Sequence, residues 1–210
     1  MTDFSIEKSI EGLVIGLDEV GRGPLAGPVV SCGCLFHSYE KLPDNIKIKD
    51  SKKHTSKQRR KLFSLFHQLQ KNNIMEFHLG FASVKEIDEL NILEATKLSM
   101  KRVLDKFINY NISIIIDGNF SLNYKNINEK SVIGGDKLSL SIAAASIIAK
   151  VHRDRLMGIY DSKFMNYGWK KNSGYGTKQH INAIYENGIT VHHRKTFEPI
   201  KSLSKKILIS

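Results

Sequence analysis

Four acidic side chains stand where acids are costly. Asp18 and Glu19 close the apolar run 13–17, Asp117 closes the run 112–116, and Asp136 follows Ser131-Val-Ile-Gly-Gly. A carboxylate at the tip of a buried strand is unfavourable unless something neutralises it. A hard divalent cation, which takes oxygen ligands, is the usual remedy. Ligand sites in open α/β sheets lie outside the carboxyl ends of the strands, so converging strand ends would make one acidic pocket. Acids gathered inside a basic protein suit two-metal phosphodiester cleavage, in which one ion activates water and the other stabilises the leaving oxygen. No Ser-His-Asp or Cys-His arrangement is evident. Each acid also has a structural reading. Asp136 could be an N-cap of the helix that follows, and Asp117 before Gly118-Asn119 a turn residue. Asp18-Glu19 between apolar runs resists both. Neighbouring strand residues point to opposite faces, so this pair serves one site only if the strand ends at Glu19 or Glu19 uses its backbone carbonyl.

Around these acids are groups suited to an anionic substrate. Gly21-Arg22-Gly23 lets backbone approach a ligand closely, since no Cβ intervenes, although it also fits a plain β-turn. Asp50-Ser51-Lys52-Lys53 precedes a capped helix and reads as a phosphate contact. Asn172-Ser173-Gly174-Tyr175-Gly176-Thr177 sets an aromatic between glycines, where it can stack on a base or sugar or anchor a core. Trp169 reads as packing. His192-His193-Arg194 has no third partner at fixed spacing and reads as a basic, structural corner rather than a metal site.

The bulk composition agrees with such a substrate. The chain has 210 residues, 41% of them hydrophobic, enough for one full-sized domain with a real core. Its net charge is +11, which points to a polyanion, nucleic acid before membrane. The charge is uneven: residues 49–61 hold seven Lys/Arg against one acid, and residues 150–210 hold twelve against four. Cys32 and Cys34, two apart in an apolar run, read as buried reduced thiols on one strand face. The N-terminus shows no signal sequence and no stretch approaches a membrane span. The expectation is a cytoplasmic protein with no membrane partner, monomeric by default.

The elements that must position these residues follow from the pattern. Residues 1–12 are a polar lead-in, 13–18 a first strand, and 28–36 a second, antiparallel to it across a Gly/Pro-rich turn. Ser56 caps a helix with Leu62, Phe63, Leu65, Phe66 and Leu69 on its apolar side. A third strand covers 74–82, and 84–107 is helical with Asn91 as a break or cap. The strand 112–117 follows a helix and so runs parallel to a neighbour. A short fifth strand begins at Ser131, and a long helix runs from Leu138 to about Tyr160 with a small face, Ala143-Ala144-Ala145-Ser146. Residues 161–176 are irregular. Thr177 caps a helix 178–187 that Gly188 ends, and a last short helix covers 199–207. The expectation is an α/β fold with a mixed sheet, part antiparallel and part parallel, flanked by helices and followed by a helical basic C-terminal part.

These motifs, taken in order, resemble the bacterial type 2 ribonuclease H enzymes over nearly the whole chain. The stretches that carry the resemblance are Gly16-Leu-Asp-Glu-Val-Gly-Arg-Gly-Pro, Asp50-Ser-Lys-Lys, Glu86-Ile-Asp-Glu-Leu-Asn-Ile-Leu-Glu-Ala-Thr and Ile116-Asp-Gly-Asn. They continue with Gly135-Asp, Ser141-Ile-Ala-Ala-Ala-Ser-Ile-Ile-Ala-Lys-Val-His-Arg-Asp, Gly174-Tyr-Gly-Thr and His192-His-Arg-Lys-Thr-Phe. The resemblance implies the ribonuclease H-like fold, with a catalytic domain over 1–160 and a helical extension over 161–210 packed on the substrate side as one structural unit. It implies endonucleolytic hydrolysis of RNA in RNA–DNA hybrids and incision of duplex DNA containing single ribonucleotides, giving 5′-phosphate and 3′-hydroxyl ends. By that analogy Asp18, Glu19, Asp117 and Asp136 bind divalent metal, Mg²⁺ or Mn²⁺. Gly21, Arg22 and Gly23 would read the ribose 2′-hydroxyl through the backbone, Tyr175 would pack on the deoxyribose after the ribonucleotide, and Lys52 would hold a phosphate. The type 3 relatives lack Gly-Arg-Gly and carry an extra N-terminal domain, for which the 17 residues before Asp18 leave no room. Lys49, Gly134 and Lys195-Thr196 depart from common family residues, and none touches the four carboxylates.

Two alternatives predict different behaviour. A non-catalytic nucleic-acid-binding module explains the charge but not the acids. A metal nuclease for another substrate, such as a DNA junction, would cut all-DNA duplexes.

Overall fold

The computed structural model describes residues 2–42, 48, 54–107, 111–125 and 127–207. Its centre is a five-stranded sheet in the order β3-β2-β1-β4-β5. The strands are β1 (Leu13–Val20), β2 (Val29–Phe36), β3 (Met75–Ala82), β4 (Ile112–Asp117) and β5 (Asn128–Val132). β1, β2 and β3 pair antiparallel, whereas β4 joins β1, and β5 joins β4, in parallel. The expected mixed sheet is therefore present.

Helices α1 (Ser5–Lys8), α2 (Ser56–Lys71), α3 (Val84–Leu90) and α4 (Ile92–Leu104) precede β4; α5 (Leu140–Lys163), α6 (Trp169–Asn172), α7 (Lys178–Asn187) and α8 (Ile200–Ile207) follow β5. One sheet face is covered by α5 and α2, with Ala143, Ala144, Ala145 and Ile148 packed beside Cys32, Cys34 and Phe66. The small residues let α5 sit very close: a Cβ on Gly16 would lie 2.5 Å from the Ile142 amide nitrogen. The other face is covered by α4, where Met100, Val103 and Leu104 meet Ile15, Leu35 and Ile114. Burying both faces turns the central strands into the continuous apolar runs seen in the sequence.

Local chemistry sets the helix ends. Thr55, rather than Ser56, caps α2, in a reciprocal box with Gln58. Asn91 separates α3 from α4 at φ +72, and its side chain accepts from the amides of Leu93 and Glu94. The fifth strand lies earlier than its apolar signal, over Asn128–Val132, because it is a mostly exposed edge strand with polar residues. The region 161–176 contains the end of α5, a 3₁₀ turn at Met165–Tyr167 and α6. The polar lead-in contains α1, whose Glu7 is buried and accepts from the Ser139 and Ser141 hydroxyls and the Ser141 amide at the start of α5. The C-terminal helices share a core with the turn after β1: Leu25, Ala26 and Met157 pack with Tyr167, Trp169, Ala183, Ile184 and Ile200. Cys32 and Cys34 are buried free thiols with sulfurs 3.9 Å apart. No helix among the described residues is long and apolar enough to cross a membrane.

Candidate active site

Parallel pairing of β1 with β4 stops at Leu17–Ile116. β1 continues to Val20 against β2 alone, so its last three residues face an opening in the sheet. β4 ends beside that opening at Asp117. Asp18, Glu19, Val20, Asp117 and Asp136 line one cavity of about 280 Å³ there, with Arg59, Ser146, Lys150 and Tyr175. The strand does not end at Glu19, yet both adjacent acids reach the cavity, because the opening exposes the strand's edge and not one face alone.

Each acid is held differently. Asp18 is 5% exposed and its Oδ1 accepts the Glu19 amide at 2.6 Å. Its carboxyl is pushed well above the usual range, first by burial, then by the charges of Glu19 and Asp117, with the Ser146 hydroxyl opposing. Glu19 is also raised by burial, against the pull of Arg22. One Glu19 oxygen accepts from Arg22 at 3.3 Å, and the other, Oε2, is buried with no hydrogen-bond partner among the described residues. Asp117 Oδ1 accepts the Gly135 amide at 2.7 Å. Asp136 is buried on a 3₁₀ turn, Gly135–Lys137, and is not the cap of α5; Ser139 is, accepting from the Ile142 amide.

A crowded set of carboxylates, of which Asp18 and Glu19 have raised proton affinity, together with one orphaned buried oxygen, fits a hard divalent cation, which all-oxygen donors bind. Among the described residues no three acid, imidazole or thiol groups form a ready-made cage. Mg²⁺ commonly takes one or two carboxylates, with waters and substrate phosphates completing its shell.

The glycine turn is fixed from two sides. Arg194, fully buried, donates to the carbonyls of Gly21, Arg22 and Gly27. Arg153, also fully buried, donates to Ala26, Pro28 and Ser173. Burial pushes these guanidinium groups down to about 9 and about 10, so both stay charged at neutral pH. Gly21 has φ +98, and a Cβ there would collide with the Arg153 side chain. Gly23 is open: its nearest neighbour is the Tyr175 ring, 3.6 Å from where a Cβ would be. Tyr175 itself is 45% exposed. Arg22 points to Glu19 and lies 5.9 Å from the Phe120 ring. Lys52 lies outside the described residues.

The structure thus brings together Asp18, Glu19, Asp117, Asp136 and Tyr175, with Gly23 against Tyr175. His193 is an internal residue: it packs by His180, and the Trp169 indole donates to His180 Nε2 at 2.9 Å. The structural reading of the His192-His193-Arg194 corner fits, and its strongest member is Arg194. Sequence reasoning did not pick out Arg59, Ser146 or Lys150 as cavity residues. Their signals were present in the basic run 49–61 and in the strip Ala145-Ser146 to Lys150, which one helical turn places on one face.

Known proteins are similar to this chain over nearly its whole length. The family model of ribonuclease HII matches residues 15–199. The ribonuclease HII of Wolbachia pipientis subsp. Culex pipiens (strain wPip) is 49% identical over 204 residues, 96% of this chain and 98% of that protein. The ribonuclease HII of Ehrlichia ruminantium (strain Welgevonden) is 48% identical over 216 residues, covering 97% of each. Among solved structures, the ribonuclease H2 from Pyrococcus horikoshii OT3 superposes with a TM-score of 0.74 at 26% identity, over 94% of this chain and 100% of that one. The chain belongs to the ribonuclease HII family and is a metal-dependent ribonuclease H enzyme.

Proposed function

We propose that this enzyme hydrolyses the RNA strand of RNA–DNA hybrids and incises duplex DNA on the 5′ side of single embedded ribonucleotides, leaving 5′-phosphate and 3′-hydroxyl ends. Its role would be removal of ribonucleotides misincorporated into DNA. The observation that carries the reading is the lining of one cavity by Asp18, Glu19, Asp117 and Asp136 beside Arg59, Lys150 and Tyr175.

Two Mg²⁺ or Mn²⁺ ions held by those carboxylates would supply an activated water and a counter-charge for the leaving oxygen. The residues themselves do the positioning. Ser146 and the Glu19 amide orient the Asp18 carboxylate, and the Gly135 amide orients Asp117. Lys150 and Arg59 offer charge to the phosphate. Gly21-Arg22-Gly23 reads the ribose 2′-hydroxyl through its backbone; the carbonyl clamp of Arg194 and the missing Cβ at Gly23 support that role. Tyr175, exposed against Gly23, packs on the deoxyribose that follows the ribonucleotide. Lys52 holds a further phosphate. In this reading residues 1–160 are catalytic, and 161–210 pack on the substrate side, which the shared core of Leu25 and Met157 with Trp169 supports.

The test is cleavage of a DNA duplex holding one ribonucleotide, with Mg²⁺, Mn²⁺ or chelator. The expected result is a metal-dependent nick 5′ of the ribonucleotide and none in the all-DNA control. Binding without a nick under either metal would overturn the proposal in favour of a binding module; cutting of the all-DNA control would point to a junction nuclease.

A further inference from the structure

We propose that the face between α2, α5 and α6 is a second anion groove that grips the phosphodiester backbone of the duplex on one side of the cut; this rests on the nucleic-acid reading above. The groove encloses about 470 Å³ and is lined by Arg59, Arg60, Lys150, Arg155, Lys170 and Lys171, with Asp154 the one acid among its described residues. Three separate elements each contribute two cations. Like charges gathered from three helices repel one another unless a polyanion fills the space between them. The groove opens from the catalytic cavity, since Arg59 and Lys150 line both.

The acid offsets only one of the six cations. Asp154 is committed internally, accepting from Lys150 at 2.6 Å and from the Ser173 hydroxyl at 3.1 Å. Arg60, Lys170 and Lys171 pair with no acid among the described residues. Two arginines are positioned in advance. Arg59 donates to the His54 carbonyl at 2.5 Å, and Arg155 lies 4.5 Å from the centre of the Phe63 ring. Among the described residues no aromatic side chain lines the groove, so it offers no stacking platform for unpaired bases. Cations without stacking groups or base-reading amides recognise backbone phosphates, without regard to sequence. Because the groove leaves the cavity toward α6, it engages the duplex on one flank of the scissile bond.

The experiment measures equilibrium binding, in chelator so that nothing is cut. The probes are two duplexes with the same single ribonucleotide, one extended only upstream of it and one only downstream. The variant Arg60→Gln/Lys170→Gln/Lys171→Gln changes exposed residues outside the catalytic cavity. The expected result is about a tenfold or greater loss of affinity for one duplex and less than about twofold for the other. The salt dependence on the affected duplex should weaken by roughly 0.9 log units per log unit of salt for each phosphate no longer neutralised. Equal loss on both duplexes would mean a diffuse field and no groove, and loss on neither would remove the proposal altogether. Binding is read without cleavage, so a failure of the ribonuclease reading in the nicking assay stays distinguishable from a failure here. Unchanged thermal unfolding of the variant separates either result from misfolding.

Discussion

Arg194 donates through Nη2 to the carbonyl of Gly21 at 2.5 Å, tying the turn after β1 to a residue 173 positions later. The same guanidinium holds Arg22 and Gly27. Removing it would strand three carbonyls and collapse the glycine turn. Bonds to a charged donor contribute about 1.5–3 kcal/mol each, and an unsatisfied buried acceptor costs about 1–3. Arg194→Ala should therefore lose at least about 3 kcal/mol in urea unfolding. Arg194→Lys keeps the charge but not the planar fork, and should recover less than half of that. A lysine variant as stable as the parent would show that charge alone suffices.

Gly21 and Gly23 should separate folding from function. Gly21→Ala puts a Cβ at φ +98 into Arg153 and 2.8 Å from the Pro28 carbonyl, and should destabilise by about 2 kcal/mol or more. Gly23→Ala meets nothing closer than Tyr175 at 3.6 Å and should stay within about 0.5 kcal/mol of the parent. In the proposed function the added methyl would stand where the ribose approaches, so cleavage at a single ribonucleotide should fall at least about tenfold. Equal stability of the two variants would refute the asymmetry.

What the sequence made legible was the part of the fold with a one-dimensional signature. The runs ending at Asp18 and Asp117 are buried on both faces, so they stand out as strands, and their terminal acids stand out as costly. Asp136 was legible as an acid but not as a 3₁₀ residue, because Ser139 three positions on is an equally good cap. β5 was misplaced because an edge strand need not be apolar. The corner at 192–194 was legible as structural, but the carbonyl partners of Arg153 and Arg194 were not: each joins segments more than a hundred residues apart, and nothing local names the far partner of a buried arginine. Glu7 escaped for the same reason, its partners being Ser139 and Ser141.

Acid should weaken the fold through its buried imidazoles. Burial, with neighbouring His180 and His192, pushes His193 down to about 4. Between that value and the unfolded value near 6.5 the unfolded chain binds the extra proton. The contribution is complete above about pH 6.5 and is lost as pH falls toward 4, up to about 3 kcal/mol. His152, His180 and His192 are shifted in the same direction by burial. Urea midpoints should drop steadily from pH 7 to pH 5, and less steeply in His193→Gln. A slope unchanged by that substitution would move the effect to the other three.

Asp117→Asn should raise stability while it removes activity. The Asp117 charge raises the proton affinity of both Asp18 and Glu19, so at neutral pH it adds repulsion to a buried pair. Asparagine can still accept the Gly135 amide through its carbonyl oxygen, which keeps the turn in place. Thermal unfolding without metal should therefore improve, by about 0.5–2 kcal/mol, the range typical of relieving a functional strain. Cleavage should fall by at least about a hundredfold, as when a transition-state contact is removed. Added Mn²⁺ should stabilise the parent by linkage, about 2.7 kcal/mol at a hundred times its dissociation constant, and should stabilise the variant much less. A variant that is less stable without metal, or equally protected by it, would mean that Asp117 is a structural turn residue and that the ions are held elsewhere.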